Sequence, residues 1–177
     1  MNFRDLSIET HRFLLRTLKE TDASQEYLSW MNDDKVSKYI SAAAETKSIE
    51  KLKEYIHEKT TKKDCIFLGV FEKITNKHIG NIKYEPICFT SKEAVMGVLL
   101  GDREWRGKNV FKEIFLASQK CLSEFYSIET IRLGVDISNF PAIRAYEKVG
   151  FCQDALKMDT KLEHIQMVAK YNEKNRI

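Results

Sequence analysis

Two stretches of this chain carry residues whose types and spacing suit chemistry. The first is residues 102–114, DREWRGKNVFKEI. It sets Arg103, Arg106 and Lys108 around one glycine, Gly107, and runs into a helical pattern at Val110. The first amides of a helix have no intrahelical partner, and the dipole is positive there, so a basic loop feeding a helix suits an anion. A phosphate-bearing ligand would meet loop amides from Arg106 to Phe111 together with the nearby cations. Neither GxxxxGK[ST] nor GxGxxG spacing is present, which sets aside the nucleotide-hydrolase loop and the dinucleotide fingerprint. The second stretch is residues 133–151, LGVDISNFPAIRAYEKVGF. It places Asn139 at a strand end and Tyr146 seven residues on, inside a short helix. Each alone reads as a turn or cap residue and as a half-buried aromatic. Their order within one segment is what gives them meaning.

Both stretches need elements to hold them. HRFLLRTL (11–18) reads as a first strand, with Thr21 and Asp22 as capping candidates. Residues 24–40 have helical spacing with a break near Asn32 and Asp33, residues 41–48 read as a loop, and Ser48 to Lys59 as an amphipathic helix. Residues 65–72 and 78–87 form a hairpin, and 93–101 is a mostly apolar strand central in the sheet. A long helix follows the basic loop, with Val110, Ile114, Phe115, Cys121, Leu122 and Phe125 on its apolar face. Residues 130–136 are another strand, Pro141 opens a short helix that Gly150 ends, and 151–158 and 164–172 close as two strands. The order predicts an α/β (α+β) fold, a mixed sheet covered by helices.

Composition narrows the class. The chain has 177 residues, 43% hydrophobic and 31% charged, which fits one globular domain with its own core. A net charge of +3 is too mild for a nucleic-acid partner and suits a small polyphosphate equally well. Cys65, Cys88, Cys121 and Cys152 lie far apart and read as free thiols of a reducing compartment, most of them buried. The four histidines are scattered, so no metal site is expected. The N-terminus has charges throughout and no run suits a membrane span, which predicts a cytoplasmic protein.

Taken in order, the two stretches resemble the GNAT family of N-acetyltransferases, over nearly the whole chain. The resemblance implies a single domain over 1–177, with a mostly antiparallel sheet flanked by helices. Acceptor-side helices occupy about 20–60 and an acetyl-CoA-binding core about 65–151. It also implies that backbone groups of Val98, Leu99 and Leu100 meet the pantetheine of acetyl-CoA. The loop of Arg106, Gly107, Lys108, Asn109, Val110 and Phe111 then meets the pyrophosphate, Asn139 contacts the coenzyme, and Tyr146 lies near the thiol. YLSWMNDDKVSKYI and HIGNIKYEPI look like the branch of ribosomal-protein-alanine and amino-sugar acetyltransferases.

Two departures stand out. Asn109 and Phe111 replace the loop glycines of the family. Asn tolerates a left-handed backbone, and the cradle survives Phe111 if its ring turns to the core while its amide faces the ligand. Gly134 stands where several members carry a Glu, which leaves the base open among Glu85, ranked first, Asp136 and a water chain.

The expected reaction is direct attack of a primary amine, from an amino sugar or a protein or peptide N-terminus, on the acetyl thioester in a ternary complex. Tyr146 serves as acid to the leaving thiolate. The rival readings are a non-catalytic acetyl-CoA-binding module of the same fold and an interaction domain that has lost the coenzyme. No nucleic acid or membrane partner is expected, and the chain is expected to be a monomer or homodimer.

Overall fold

The computed structural model describes residues 5–33, 46–154 and 164–171. Its strands are β1 (Ser7–Glu9), β2 (Phe13–Thr17), β3 (Ile66–Glu72), β4 (His78–Cys88), β5 (Glu93–Leu100), β6 (Thr130–Asp136), β7 (Cys152–Gln153) and β8 (His164–Lys170). Its helices are α1 (Gln25–Asn32), α2 (Ile49–Thr61), α3 (Val110–Tyr126) and α4 (Phe140–Glu147). The strands form one sheet in the order β1-β2-β3-β4-β5-β6-β8-β7. Every neighbouring pair is antiparallel except β5 and β6.

The sheet has a core on each face. α3 presents Val110, Phe111, Ile114, Phe115 and Leu122 at three- and four-residue spacing to one face, against Ile82, Tyr84, Met96, Leu133 and Val135. Full burial of each such side chain stabilises the fold by roughly 1.5–3 kcal/mol. α1 and α2 cover the other face with Tyr27, Trp30, Met31, Leu52 and Ile56, packed on Leu18, Phe67, Phe71 and Leu99. Phe125 was expected on the apolar face of α3 but is 72% exposed. It sits in the last turn of the helix, just short of the left-handed Ser127 that ends it.

Capping corrects one expectation. Thr21 and Asp22 lie inside a single 3-10 turn, and Ser24 caps α1 by accepting the Tyr27 amide. The Asp22 carboxylate closes its own turn by accepting the Lys19 amide at 2.7 Å, and it also takes both terminal nitrogens of Arg16, at 2.8 and 2.7 Å. α1 ends at Asn32, at the expected break, and the expected helical and loop residues 34–45 lie outside the described residues, as do 155–158 of the penultimate strand. Cys65 and Cys121 are buried, but Cys88 and Cys152 are exposed on strands near the sheet's rim, so half and not most of the thiols are inside. β5 is central in order, yet its burial alternates, and Val95 and Gly97 are open on one face. Among the described residues no helix is long and apolar enough to cross a membrane, and no group of three or more His, Cys, Asp or Glu is placed to hold a metal.

Candidate active site

The parallel pair is where the sheet comes apart. β5 and β6 pair over three residues only, Glu93–Thr130, Ala94–Ile131 and Val95–Arg132. Beyond them β5 follows β4 as far as the Gly80–Leu100 pair, while β6 follows β8 as far as Asp136–His164. A bulge in β4 between Tyr84 and Ile87 lies beside the parting point, and bulges sharpen local twist. A cleft of about 1010 Å³ opens between Met96–Leu100 on one wall and Gly134–Asp136 on the other. Strand residues direct their N–H and C=O groups alternately to either side, so the β5 wall keeps ladder groups that no strand satisfies.

The loop after β5 closes one end. Asp102 caps a 3-10 turn by accepting the Glu104 amide, and Trp105 packs edge-on to Phe13 at 5.2 Å between centroids. The Arg12 guanidinium lies over Trp105 and also donates to the Lys108 carbonyl at 3.0 Å. Gly107 has φ +75° and Asn109 φ +56°, ψ 24°, so Asn109 takes the left-handed conformation its type tolerates best after glycine. The Glu113 amide bonds to the Asn109 carbonyl at 3.3 Å, so the amides of Val110, Phe111 and Lys112 precede the helical ladder. The Phe111 ring is 7% exposed and turns inward, stacked on Phe115 at 5.4 Å and edge-on to Tyr146 at 5.1 Å. An aromatic thus replaces the small loop residue without standing in the cleft mouth. Arg106 donates to the Leu100 and Gly101 carbonyls at 3.3 Å, which ties the loop to the end of β5.

α4 forms the remaining wall. Asn139 caps it, its Oδ1 accepting the Ala142 amide at 3.3 Å, and Pro141 occupies its first turn. Tyr146 lies between Phe111 and Phe151, and burial pushes its hydroxyl up to about 12. Among the described residues nothing accepts or donates at that hydroxyl.

The cleft collects Val98, Leu99, Leu100, Arg106, Gly107, Asn109, Val110, Phe111, Asn139 and Tyr146, from three separate segments. Lys108 is not on its wall; its ammonium sits over Trp105 at 5.2 Å. Asp136 is on the wall and accepts the Ser138 amide and hydroxyl at 2.7 and 2.6 Å. Sequence reasoning passed over Lys112, Phe140, Arg144, Lys148 and His164, which also line it. The period-four recurrence of Phe140, Arg144 and Lys148 along α4 and its C-cap was the available signal.

Glu85 has a different setting from the one expected. It does not line the cleft, and its carboxylate is shared by Lys59, Lys62 and Lys83 at 2.9, 2.9 and 2.8 Å. Burial alone would raise its pKa, but these three ammonium groups outweigh that and hold it at about 2. A carboxylate so stabilised as the anion is a poor proton acceptor. Glu85 is the centre of an ion-pair cluster with Lys59, Lys62 and Lys83.

Comparison with known proteins agrees with this geometry. A curated N-alpha-acetyltransferase from Saccharolobus solfataricus is 37% identical over 71 residues, a match that spans 40% of this chain and 41% of that protein. A ribosomal-protein alanine acetyltransferase from Vibrio fischeri superposes with a TM-score of 0.77 at 18% identity, covering 96% of this chain and 98% of that one. RimL, a ribosomal alpha-N-protein acetyltransferase crystallised with coenzyme A, superposes with a TM-score of 0.80 at 14% identity, covering 93% and 98%. At those identities the two structures speak for the fold. Residues 12–152 match the acetyltransferase (GNAT) domain, and the chain belongs to that family of acyl-transfer enzymes.

Proposed function

We propose that this chain is a cytoplasmic, single-domain, acetyl-CoA-dependent N-acetyltransferase that acts on a primary amine by direct attack in a ternary complex. The observation that carries the proposal is the parted strand pair. One cleft offers an unpaired strand edge, helix-start amides beside cations, and a half-buried phenol. An extended amide-bearing ligand with phosphates at one end matches that sequence of groups.

Acetyl-CoA supplies the acetyl group as an activated thioester. The backbone of Val98, Leu99 and Leu100 holds the pantetheine chain, and Arg106 with the amides of Val110, Phe111 and Lys112 holds the pyrophosphate. Asn139 has its Nδ2 group left to orient the ligand once its Oδ1 caps α4. Tyr146 gives its proton to the departing sulfur. In water a phenol near 10 and a thiol near 8.5 are roughly matched. Burial raises the Tyr146 phenol to about 12, so at neutral pH it carries the proton that the leaving sulfur needs. The amine must lose its proton before attack, and Asp136 is the one carboxylate among the described cleft residues. We assign it the proton, directly or through water. The relative at 37% identity is an N-alpha-acetyltransferase, which favours a peptide N-terminus over an amino sugar.

The test is thiol release from acetyl-CoA with a panel of N-terminal peptides and amino sugars. Turnover with a peptide establishes the reading. Tight binding of acetyl-CoA without turnover on any amine would leave a coenzyme-binding module, and no binding would leave only the fold.

A further inference from the structure

The cleft is lined from both faces of the sheet. Met96, Val98, Leu100, Leu133 and Val135 belong to the core on the α3 side. Side chains alternate along a strand, so Gly97, Gly134 and Asp136 face the other side, that of α1 and α2. On the coenzyme reading the phosphates lie at the start of α3. An amine that must reach the same thioester then has the second face to enter by.

Two glycines strip the floor of this second mouth. Both are exposed, and a Cβ at Gly97 would meet nothing within 4 Å. A Cβ at Gly134 would stand 3.2 Å from Nε2 of Gln166 and 3.9 Å from its Cδ and Oε1. Gln166 pairs with Gly134 between β8 and β6, two residues along the same face from the Asp136–His164 pair. Its amide group thus lies over the Gly134 backbone, beside the one carboxylate of the cleft. Gln166 is half-buried, and its amide has no hydrogen-bond partner among the described residues. Both its acceptor and its donor are left for what enters.

We infer that Gln166 determines acceptor specificity, its Oε1 accepting an N–H of the attacking amine and its Nε2 donating to the acceptor's first carbonyl. The inference rests on the acetyltransferase reading of the cleft, and it names the acceptor class as an α-amine. The acceptor and donor atoms of an amide sit side by side, as do the amine and the carbonyl of a peptide N-terminus. A lysine ε-amine offers the first group without the second. The bare glycines let the acceptor's Cα come close to the sheet. The amine nitrogen bonds to the acetyl carbon as the carbon–sulfur bond breaks. Its proton passes to Asp136, and that of Tyr146 passes to sulfur.

Steady-state kinetics on the full chain test it with two peptides. One has a free N-terminus, and the other is blocked there and has a lysine ε-amine instead. The two amines differ in basicity, but that difference is common to every variant, so the change in preference reports the contact. Gln166→Met keeps the length of the side chain and the cover over Gly134. It is expected to cut the preference for the free N-terminus by about tenfold, through the KM of that peptide. Gly134→Ala crowds the amide without removing it and should cut the preference by about threefold. A Met variant with the wild-type preference would show that the side chain only covers the glycine, and overturns the assignment. An equal rise in the KM of acetyl-CoA overturns it too. Turnover of neither peptide overturns the peptide-acceptor reading and the assignment with it.

Discussion

Tyr146 and Glu85 show how environment sorts residues of suitable type. The phenol is desolvated and keeps its proton, whereas the carboxyl is surrounded by ammonium groups and gives its proton up. Tyr146→Phe should lower kcat by about a hundredfold or more, the usual worth of a positioned acid, and change coenzyme affinity less than twofold by calorimetry. Because the phenol titrates near 12, the wild-type rate should not fall between pH 8 and 10. With a peptide acceptor it should rise as the α-amine deprotonates near pH 8 and then level off. Glu85→Gln should leave turnover within about threefold but cost about 1–3 kcal/mol at pH 7 in urea unfolding, since three lysines lose a common anion. The depressed pKa makes that contribution complete above the unfolded value near 4.3. It is lost as pH falls towards 2, where variant and wild type should converge. Asn109 was legible in the sequence because its backbone preference is its own property. The setting of Glu85 was not, because Lys59 and Lys62 reach it from another element.

At the scale of elements, the loop after β5 is clamped from two directions. From the α1 side, Trp30 lies so close to Gly101 that a Cβ there would stand 1.9 Å from Cδ2 of the indole. Arg103 pairs with Asp33 at 2.7 Å just past the end of α1. From the β2 side, Glu113 in the first turn of α3 accepts from Thr10, the Arg12 amide and the Arg12 guanidinium at 2.7–2.8 Å. Gly101→Ala should therefore cost about 1–3 kcal/mol by overpacking and shift Trp30 fluorescence to the red as α1 lifts. An unshifted spectrum with unchanged stability would show that the indole moves freely. The hairpin and the long helix were readable from period and turn signals. β1 was not, since three residues with two polar ones carry no period, and strand register with Arg16 and Leu15 defines it instead. The parting of β5 from β6 was equally invisible, because each strand alone reads as continuous and only the end of their pairing after three residue pairs marks it.

For the whole molecule, the described sheet divides in the same order as the chain. β1 to β5 come from residues 7–100 and β6 to β8 from residues 130–170, joined in the sheet by three residue pairs. Acetyl-CoA at about a hundred times its dissociation constant should add about 2.7 kcal/mol of stability. For a chain of this size that raises Tm by roughly 5–10 °C in a thermal scan, and raising salt should shrink the shift. A ligand that enters the gap by its backbone-like amides does more than occupy space. It stands in for the strand that is missing between two sub-sheets, so that a discontinuous ladder becomes continuous. Amide hydrogen exchange should register this as slowed exchange at Met96–Leu100 and at Val110–Lys112 when the coenzyme binds, with the amides of β3, already inside the ladder, unchanged.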